Sequence, residues 1–225
     1  MENIMKFDDV TLQILKNYSG INHGIMFQAG NTLSTISANK TILAKATIEH
    51  NIASSFAIYD LSRFLSTLSL FENADVEIGD KNLTLKEGRR RINYTFADPN
   101  TIIVPPQKDI KFPAPEISFK LEAEVLNDFM KALNVLSLPE MAIVGDGENI
   151  TLDAIDSKNP SADRYSVAVG KSETSDKFQM IIKAEHLKVL PGDYEVEISS
   201  KGLSHFKGPL VEYYIAVEAS SSYGS

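Results

Sequence analysis

The strongest constraint in this sequence is an internal repeat, because the second half follows the order of the first. Residues 56–96 run alongside residues 178–217, and five positions recur at a constant distance of 120 residues. The matching pairs are Val76 and Val196, Ile78 and Ile198, Lys81 and Lys201, Leu83 and Leu203, and Gly88 and Gly208. An order shared over such a length indicates a duplicated structural unit. We therefore predict two similar domains in one chain.

Each half is predicted to combine two helices with a meander of short strands, which is an α+β fold. Apolar residues recur at helical spacing over residues 9–19 and again directly after Asp60. The second half predicts helices over residues 122–136 and 184–189, the latter stopped by Pro191. Alternating runs between turn residues predict strands. They lie at 24–28, 32–37, 41–48, 53–59, 75–78, 82–86, 89–96, 117–121, 141–144, 149–155, 164–169, 178–182, 194–199, 203–207 and 211–217.

A proline-rich stretch separates the two halves. Residues 97–115 contain five prolines, and proline neither donates a hydrogen bond to an interior strand nor continues a helix. We predict an extended connector over residues 101–115, between a first domain of residues 1–100 and a second domain of residues 116–225.

The charge balance argues against an ordinary DNA-binding protein. Among 225 residues, 22 are Lys or Arg and 30 are Asp or Glu, so the formal charge is −8 and the pI is about 5.1. A hydrophobic content of 43% excludes a disordered chain, and the absence of cysteine excludes thiol nucleophiles, zinc fingers and iron–sulfur clusters. The sequence shows no leader and no long apolar run, which predicts a soluble intracellular protein.

No motif predicts catalysis or a bound cofactor. The four histidines do not stand at metal-ligand spacing from one another. Gly170-Lys171-Ser172 suggests a phosphate loop, but Tyr165 stands where that loop needs its first glycine. We therefore predict no catalytic residue, no cofactor, no metal and no enzymatic activity.

Positive charge is concentrated in one hairpin and spread thinly over the predicted helices. Arg89, Arg90 and Arg91 could contact phosphates, although a solvated hairpin turn is the favoured interpretation. Each predicted helix carries one cation away from its apolar stripe. These cations are Lys16, Arg63, Lys131 and Lys188. One such residue is expected by chance, so only their shared placement is informative.

Four segments carry a resemblance to a known family. They are ILKNYSGINHGIM (14–26), AIYDLSRFLSTLSL (57–70), ADPNTIIVPP (97–106) and LPGDYEVEI (190–198). In order, and over essentially the whole chain, they are similar to the sliding clamps of T-even-type tailed bacteriophages, the DNA polymerase processivity factors. The resemblance implies two duplicated clamp domains per chain, with sheets outside and helices lining the central hole of a homotrimeric ring.

The resemblance also implies a function and a set of partners. Such a ring encircles double-stranded DNA independently of its sequence and tethers the replicative DNA polymerase for processive viral DNA replication. An ATP-driven clamp loader would place it on DNA, and RNA polymerase-associated factors would use it in late transcription. These expectations put the protein in the cytoplasm of the infected bacterial host, away from membranes.

The same resemblance assigns the four helix cations to the DNA-facing surface. Lys16 lies in a Leu-Lys-Asn sequence of the family's first helix, Lys131 at a basic position of the third, and Lys188 in the stretch before Pro-Gly. Arg63 occupies a position that need not be basic in relatives, and Asn134 stands where a relative carries arginine. The inner charge is therefore expected to be weak or redistributed.

A pocket for partner peptides is expected beside the connector. Its residues would be Ile102, Val104 and Pro105 from the connector and Tyr214 and Ile215 from the last strand. The alternative is that these side chains are buried in the cores of their own domains.

Two other functions remain open at this point. The first is a non-enzymatic, acidic structural or assembly protein of duplicated β-rich domains, which would give helix cations no reason to share a surface. The second is a small-molecule hydrolase on an α+β fold. That activity would need an acid, a base and a nucleophile, for which the sequence offers no candidate set.

Overall fold

The computed structural model shows the duplication as two units that each combine helices with antiparallel strands. The described residues are 4–106, 108 and 110–224. The units are Met1–Gln107 and Lys108–Ser225. Their boundary falls within the predicted connector, residues 101–115, of which positions 107 and 109 lie outside the described residues. The α+β fold class predicted from the sequence is confirmed in both units.

The first unit contains two α-helices among its described residues, α1 (Asp9–Ser19) and α2 (Leu61–Leu68). Its strands are β1 (Ile4–Met5), β2 (Ile25–Phe27), β3 (Gly30–Ile36), β4 (Ile42–Ile52), β5 (Phe56–Ile58), β6 (Asp75–Ile78), β7 (Asn82–Glu87) and β8 (Arg90–Thr95). One sheet has the order β1-β6-β7-β8, while β3 pairs with β4 and β2 with β5. All of these pairings are antiparallel.

Side-chain caps define where both helices of the first unit begin. The backbone N–H of Thr11 donates to Asp8 at 2.6 Å, and that of Arg63 donates to Asp60 at 2.8 Å. Each helix then buries one apolar stripe. The buried apolar side chains are Ile14, Leu15, Tyr18, Leu61, Phe64 and Leu68. Both helices therefore lie where their sequence pattern predicts them.

The second unit has one α-helix among its described residues, α3 (Ala123–Val135). Its strands are β9 (Ile117–Leu121), β10 (Glu140–Gly145), β11 (Asn149–Ile155), β12 (Tyr165–Lys171), β13 (Phe178–Lys183), β14 (Tyr194–Ser199), β15 (Leu203–Lys207), β16 (Val211–Ala216) and β17 (Ser222–Tyr223). Antiparallel pairing gives the orders β9-β14-β15-β16 and β12-β11-β10-β13-β17. None of the helices in the described part of the chain is long and apolar enough to cross a membrane.

The start of α3 depends on a residue far away in the sequence. Glu122 occupies the cap position but makes no capping hydrogen bond with its side chain. The N–H of Ala123 donates instead to the carboxylate of Asp193, at 2.8 Å. The negative charge of this carboxylate also interacts favourably with the positive end of the helix dipole. Such a long-range cap cannot be recognised from local sequence.

The fourth predicted helix, residues 184–189, is wrong. This segment forms a single 3₁₀ turn, Ala184–His186. Leu187 leaves the helical region with φ −80° and ψ 54°, and the N–H of Lys188 donates to the carbonyl two residues before it, at 2.9 Å. Few residues separate the end of β13 from Pro191. The segment is therefore too short for further helical turns to offset the unfavourable free energy of forming the first turn. Lys188 therefore lies in a loop.

Candidate nucleic-acid interface

The first unit presents two cations outside the buried stripes of its helices. α1 and α2 pack side by side, and Lys16 and Arg63 are both exposed. A cleft of about 790 Å³ runs along the two helices, and its lining includes Lys16, Ser19 and Ser62. Arg63 is not part of that lining. The structure therefore places Lys16 at the cleft and Arg63 elsewhere on the exposed part of α2.

Hydroxyl groups cover much of the exposed side of α2. The side chain of Ser66 donates to the carbonyl of Ser62 at 2.9 Å, and that of Thr67 donates to Arg63 at 2.8 Å. Ser69 donates to the carbonyl of Ser66, also at 2.8 Å. These hydroxyl donors are thus used within the helix itself. The surface is polar with little charge, and the signal for this property in the sequence is the serine and threonine content of the helix.

The third helix carries one lysine and two carboxylates, Glu124 and Asp128, on its exposed side. Lys131 is exposed, and its ammonium group lies 2.9 Å from the carboxylate of Asp128, one turn earlier. Asn134 donates its side-chain amide to the carbonyl of Met130 at 2.9 Å. Val135, at the end of the helix, is 82% exposed. Because Lys131 is paired with Asp128 and the amide of Asn134 is bonded to its own helix, α3 attracts phosphates only weakly.

The fourth predicted cation, Lys188, is exposed in the loop that follows the 3₁₀ turn. Next to it, His186 is buried, and neither ring nitrogen has a hydrogen-bond partner among the described residues. Burial lowers the pKa of His186, although the nearby carboxylate of Glu185 acts in the opposite direction. At neutral pH, Lys188 rather than His186 supplies the positive charge of this loop.

The exposed helical surfaces offer sparse positive charge. Within the described residues, no group of three or more histidine or acidic side chains is arranged to hold a metal ion. The four cations are exposed and far apart in sequence, two in each unit. Sparse long cations next to neutral hydroxyls attract a polyanion weakly and without reading its sequence.

Two edge strands stand out because neither buries a side chain. Among the described strands longer than two residues, only β8 and β12 contain no buried residue. β8 pairs with β7 alone, and β12 pairs with β11 alone. Each strand therefore has one unpaired backbone edge within its unit, which is available for pairing with another chain.

The basic run belongs to the hairpin that leads into β8. Glu87 pairs with Arg90 across a two-residue turn, in which Gly88 has a φ of +58°. Arg90 is held within its own unit, because its guanidinium pairs with Glu87, donates to the carbonyl of Leu70 at 2.7 Å and lies over the ring of Phe71. The predicted hairpin turn is confirmed.

The connector residues of the predicted pocket differ in exposure. Val104 is 40% exposed, whereas Ile102 and Pro105 are half-buried. The backbone here is anchored, since the side-chain amide of Asn22 donates to the carbonyl of Ile103 at 2.9 Å. Ile102 packs so close to Gly24 that a side chain at this glycine would collide with it. Val104 is thus the most available member of the predicted set.

Tyr214 and Ile215 cannot both line that pocket, and this part of the prediction is wrong. They are neighbours on β16, where successive side chains point to opposite faces of the sheet. Ile215 is completely buried in the apolar core on the same face of β16 as Tyr213, whereas Tyr214 is half-buried on the other face. The alternation of β16 therefore leaves Tyr214 as the candidate and removes Ile215.

Both halves of the chain match known families. A family described as DNA polymerase processivity factor matches residues 6–104, and one described as gp45 sliding clamp, C terminal, matches residues 118–219. Among solved structures, the PCNA of A. fulgidus bound to the C-terminal region of FEN-1 superposes with a TM-score of 0.72. That match covers 97% of this chain and 98% of the other at 13% identity, which shows a shared fold.

Curated relatives agree with the two family matches. The chain is 32% identical to the sliding clamp of Vibrio phage KVP40 over 221 residues, which is 96% of this chain and all of the relative. It is also 32% identical to the sliding clamp of Enterobacteria phage T4 over 228 residues, covering 97% and 99% of the two chains. These matches confirm the resemblance and do not support an unrelated structural protein. The chain belongs to the phage sliding-clamp family, the DNA polymerase processivity factors.

Proposed function

We propose that three copies of this chain form a closed ring around duplex DNA and hold a DNA polymerase on its template. The observation that carries the proposal is the match of both halves to phage sliding clamps over nearly the whole chain. A closed ring is retained by its topology, so it needs no tight contact with DNA. The protein then acts without catalysis, as a sliding tether.

The exposed helical surfaces support this proposal. Lys16, Arg63, Lys131 and Lys188 would face the DNA as a sparse set of cations. Dense phosphate contacts or base contacts would hold the ring at one position. The hydroxyls of α2, which are satisfied within the helix, and the Lys131–Asp128 pair keep this surface weakly attractive.

The edge strands β8 and β12 support ring closure. Pairing of β8 from one copy with β12 of the next would be a head-to-tail contact between two different surfaces. Such a contact either closes into a ring or continues into a filament. Three copies of a 24.8 kDa chain would close the ring with six similar domains.

Its partners follow from the same role. We propose that an ATP-driven clamp loader opens the ring, and that late-transcription factors associated with RNA polymerase use it as a mobile platform in the cytoplasm of the infected bacterium. We propose two surfaces for partner peptides, the connector around Val104 in the first unit and the sheet face that presents Tyr214 in the second. In the solved complex of the A. fulgidus PCNA, the bound partner is the C-terminal region of FEN-1.

Retention on circular DNA tests the proposed function. The labelled protein is loaded onto nicked circular DNA with a phage clamp loader and ATP, and the DNA is then separated from free protein by gel filtration. We expect the protein to remain on the circle and to leave within minutes of linearisation by a restriction enzyme, because a ring slides off a free end.

Two controls make this experiment decisive. Linear DNA with both ends blocked by bound protein should retain the ring, which separates sliding off from simple dissociation. Equal release from intact and linearised circles would contradict topological capture, and so would a mass that stays at that of the monomer when the protein is concentrated.

A further inference from the structure

One face of the β14-β15-β16 sheet carries polar and aromatic side chains outside the apolar core. Val196, Phe206 and Tyr213 are buried on the opposite, apolar face. The register pairs Glu197 with His205, and His205 with Tyr214, so these three side chains stand side by side across the strands. We call the surface formed by Glu197, His205, Glu212 and Tyr214 the polar face.

His205 is the centre of the polar face. Its imidazole stacks on the ring of Tyr214, with the centroids 4.2 Å apart and the planes within 10°. One ring nitrogen lies 3.6 Å from a carboxylate oxygen of Glu197, and the other lies 3.3 Å from Glu212. The His205 side chain is only 6% exposed. The stack therefore forms a flat, preorganised platform between two carboxylates.

A residue of the connector covers this platform. The ring of Phe112 lies 5.4 Å from that of His205 and 6.3 Å from that of Tyr214, centroid to centroid. Such distances are typical of aromatic packing. Phe112 is half-buried, and its own position shows that the platform accepts a third aromatic ring.

The backbone around Phe112 is weakly held. Residues 110–115 lie outside helices and strands, and no backbone hydrogen bond joins them to the described part of the chain. Pro113 and Pro115 have no N–H to donate. Ring packing, and not backbone pairing, therefore keeps Phe112 on the polar face. A competing aromatic group can replace it without breaking a strand or a helix.

The polar face also has a preferred charge for its ligand. Glu197 is paired with Lys207, whose ammonium group lies 3.0 Å away. The carboxylate of Glu212 contacts the imidazole of His205, and the Glu212 side chain is 48% exposed. The hydroxyl of Tyr214 lies 3.4 Å from the same carboxylate. Lys207 stands opposite Glu212 in the register, so a ligand that stacks on the platform would meet an accessible carboxylate on a face where two glutamates, Glu197 and Glu212, outnumber one lysine.

We propose that Phe112 is an internal occupant of a peptide-binding site, and that the external ligand is a partner segment with an aromatic residue next to a lysine or arginine. The incoming aromatic ring takes the place of Phe112 on His205 and Tyr214, and the cation pairs with Glu212. Because only molecules with an uncovered platform bind, the connector lowers the apparent affinity of every such partner by the same factor, which is the fraction of molecules in which Phe112 has left the platform. This inference rests on the proposed function, in which partners dock on the clamp through short peptides.

Removal of the internal occupant gives the sharpest test. The probe is a fluorescein-labelled peptide of eight residues with Lys-Phe-Leu at its centre, and anisotropy measures its dissociation constant. If Phe112 occupies the platform about 90% of the time, Phe112→Ala will tighten binding about tenfold, because only the uncovered fraction binds. Lys111→Ala, in the same segment, is the matched control and should leave binding unchanged.

Two further variants test the platform and the charge. Tyr214→Ala should weaken the probe at least about tenfold, because the stacking surface is lost. Glu212→Gln should remove the preference for the Lys-Phe-Leu peptide over a Gln-Phe-Leu peptide, whereas Glu173→Gln, on an exposed loop, should keep that preference. Circular dichroism and thermal unfolding of every variant show whether the sheet is intact.

The proposal is overturned if Phe112→Ala binds the probe no more tightly than the original chain, or if neither form binds it. A Phe112→Ala protein that unfolds at markedly lower temperature and binds no better would make Phe112 a permanent part of the core. Retention of the original chain on circular DNA is measured separately. Its failure would refute the proposed clamp function, while failure of the peptide test alone would refute only the internal occupant.

Discussion

Two histidines of the second unit show how burial sets the charge of a single residue. His186 has no hydrogen-bond partner for either ring nitrogen among the described residues, whereas His205 lies between two carboxylates. Burial lowers the pKa of both, and the neighbouring glutamates oppose this effect. Both imidazoles are therefore neutral in the folded protein at neutral pH. The unfolded chain differs, because an exposed histidine binds a proton near pH 6.5.

This difference predicts a loss of stability in mild acid. As the pH falls below about 6.5, the unfolded chain takes up protons that the folded chain does not yet bind, so the free energy of unfolding decreases. His186→Leu should make this decrease shallower, by at most about 1.4 kcal/mol per pH unit. Urea unfolding at pH 7.5, 6.5 and 5.5 measures the slope.

A second histidine provides the control for this measurement. His23 has a side chain that is 61% exposed, so His23→Leu removes a histidine without removing a buried imidazole. If the original chain and His186→Leu lose stability equally between pH 7.5 and 5.5, the buried imidazole does not contribute to the acid sensitivity.

At the scale of the element, the local sequence pattern predicts most strands and helices, but it does not predict which strands pair. β6, β9 and β11 begin and end where alternation predicts, because each is bounded by turn residues. The 3₁₀ turn was predicted as a helix because its apolar spacing is helical, while its shortness decided the outcome.

The candidate site was less predictable than the elements, for physical reasons that differ by residue. Strand alternation alone separates Tyr214 from Ile215, because neighbouring residues of a strand point to opposite faces. The pairing of Lys131 with Asp128 follows from their spacing on one helix. The contact of Phe112 with His205 joins a loop to a distant strand, so no local pattern reports it. Distant contacts of this kind require the folded chain.

The free edge of β8 can be tested with one proline. The N–H of Phe96 donates to Lys81, so in the alternating antiparallel pattern the N–H of Asn93 points away from β7. Asn93→Pro removes this outward donor and is tolerated by an edge strand. We expect subunit association to weaken at least about tenfold, since an unmade hydrogen bond and a steric clash both oppose pairing. Sedimentation equilibrium measures the association.

Asn93→Val is the matched control, because it loses the same side-chain hydrogen bond with Thr84 and keeps the backbone N–H. It should associate like the original chain. If Asn93→Pro forms the same oligomer as Asn93→Val, β8 is not part of the contact between subunits.

At the scale of the whole molecule, the formal charge of −8 no longer argues against DNA. A protein that relies on affinity needs a dense basic patch, whereas a ring needs only a surface that does not repel the duplex. In the proposed ring, the remaining acidic surface would discourage adsorption to DNA that is not encircled. The distribution of the 22 cations, and not their number, is therefore what the fold determines.

Charge reversal on the helices tests this distribution. Lys16→Glu combined with Lys131→Glu should shorten residence on circular DNA by about threefold to tenfold at low salt, because two attractive sites per chain become repulsive. The mass of the oligomer should not change. Gel filtration of loaded circles over time measures the residence.

Lys81→Glu with Lys201→Glu is the control, since these two exposed lysines occupy equivalent turns of the duplicated units. This pair should leave residence unchanged. Equal residence of the original chain and of Lys16→Glu with Lys131→Glu would show that the exposed helices do not face DNA.

The pair of Lys131 with Asp128 has one more consequence, which concerns salt. A free lysine that meets a phosphate displaces a condensed cation from the duplex, and this release makes binding fall steeply with ionic strength. Asp128 is a built-in counter-ion 2.9 Å from Lys131, so a phosphate must compete with a carboxylate that cannot diffuse away. The net gain is small at any salt concentration. In the proposed ring, the contribution of Lys131 to contact with the duplex should therefore change less with ionic strength than that of a lysine without a neighbouring carboxylate.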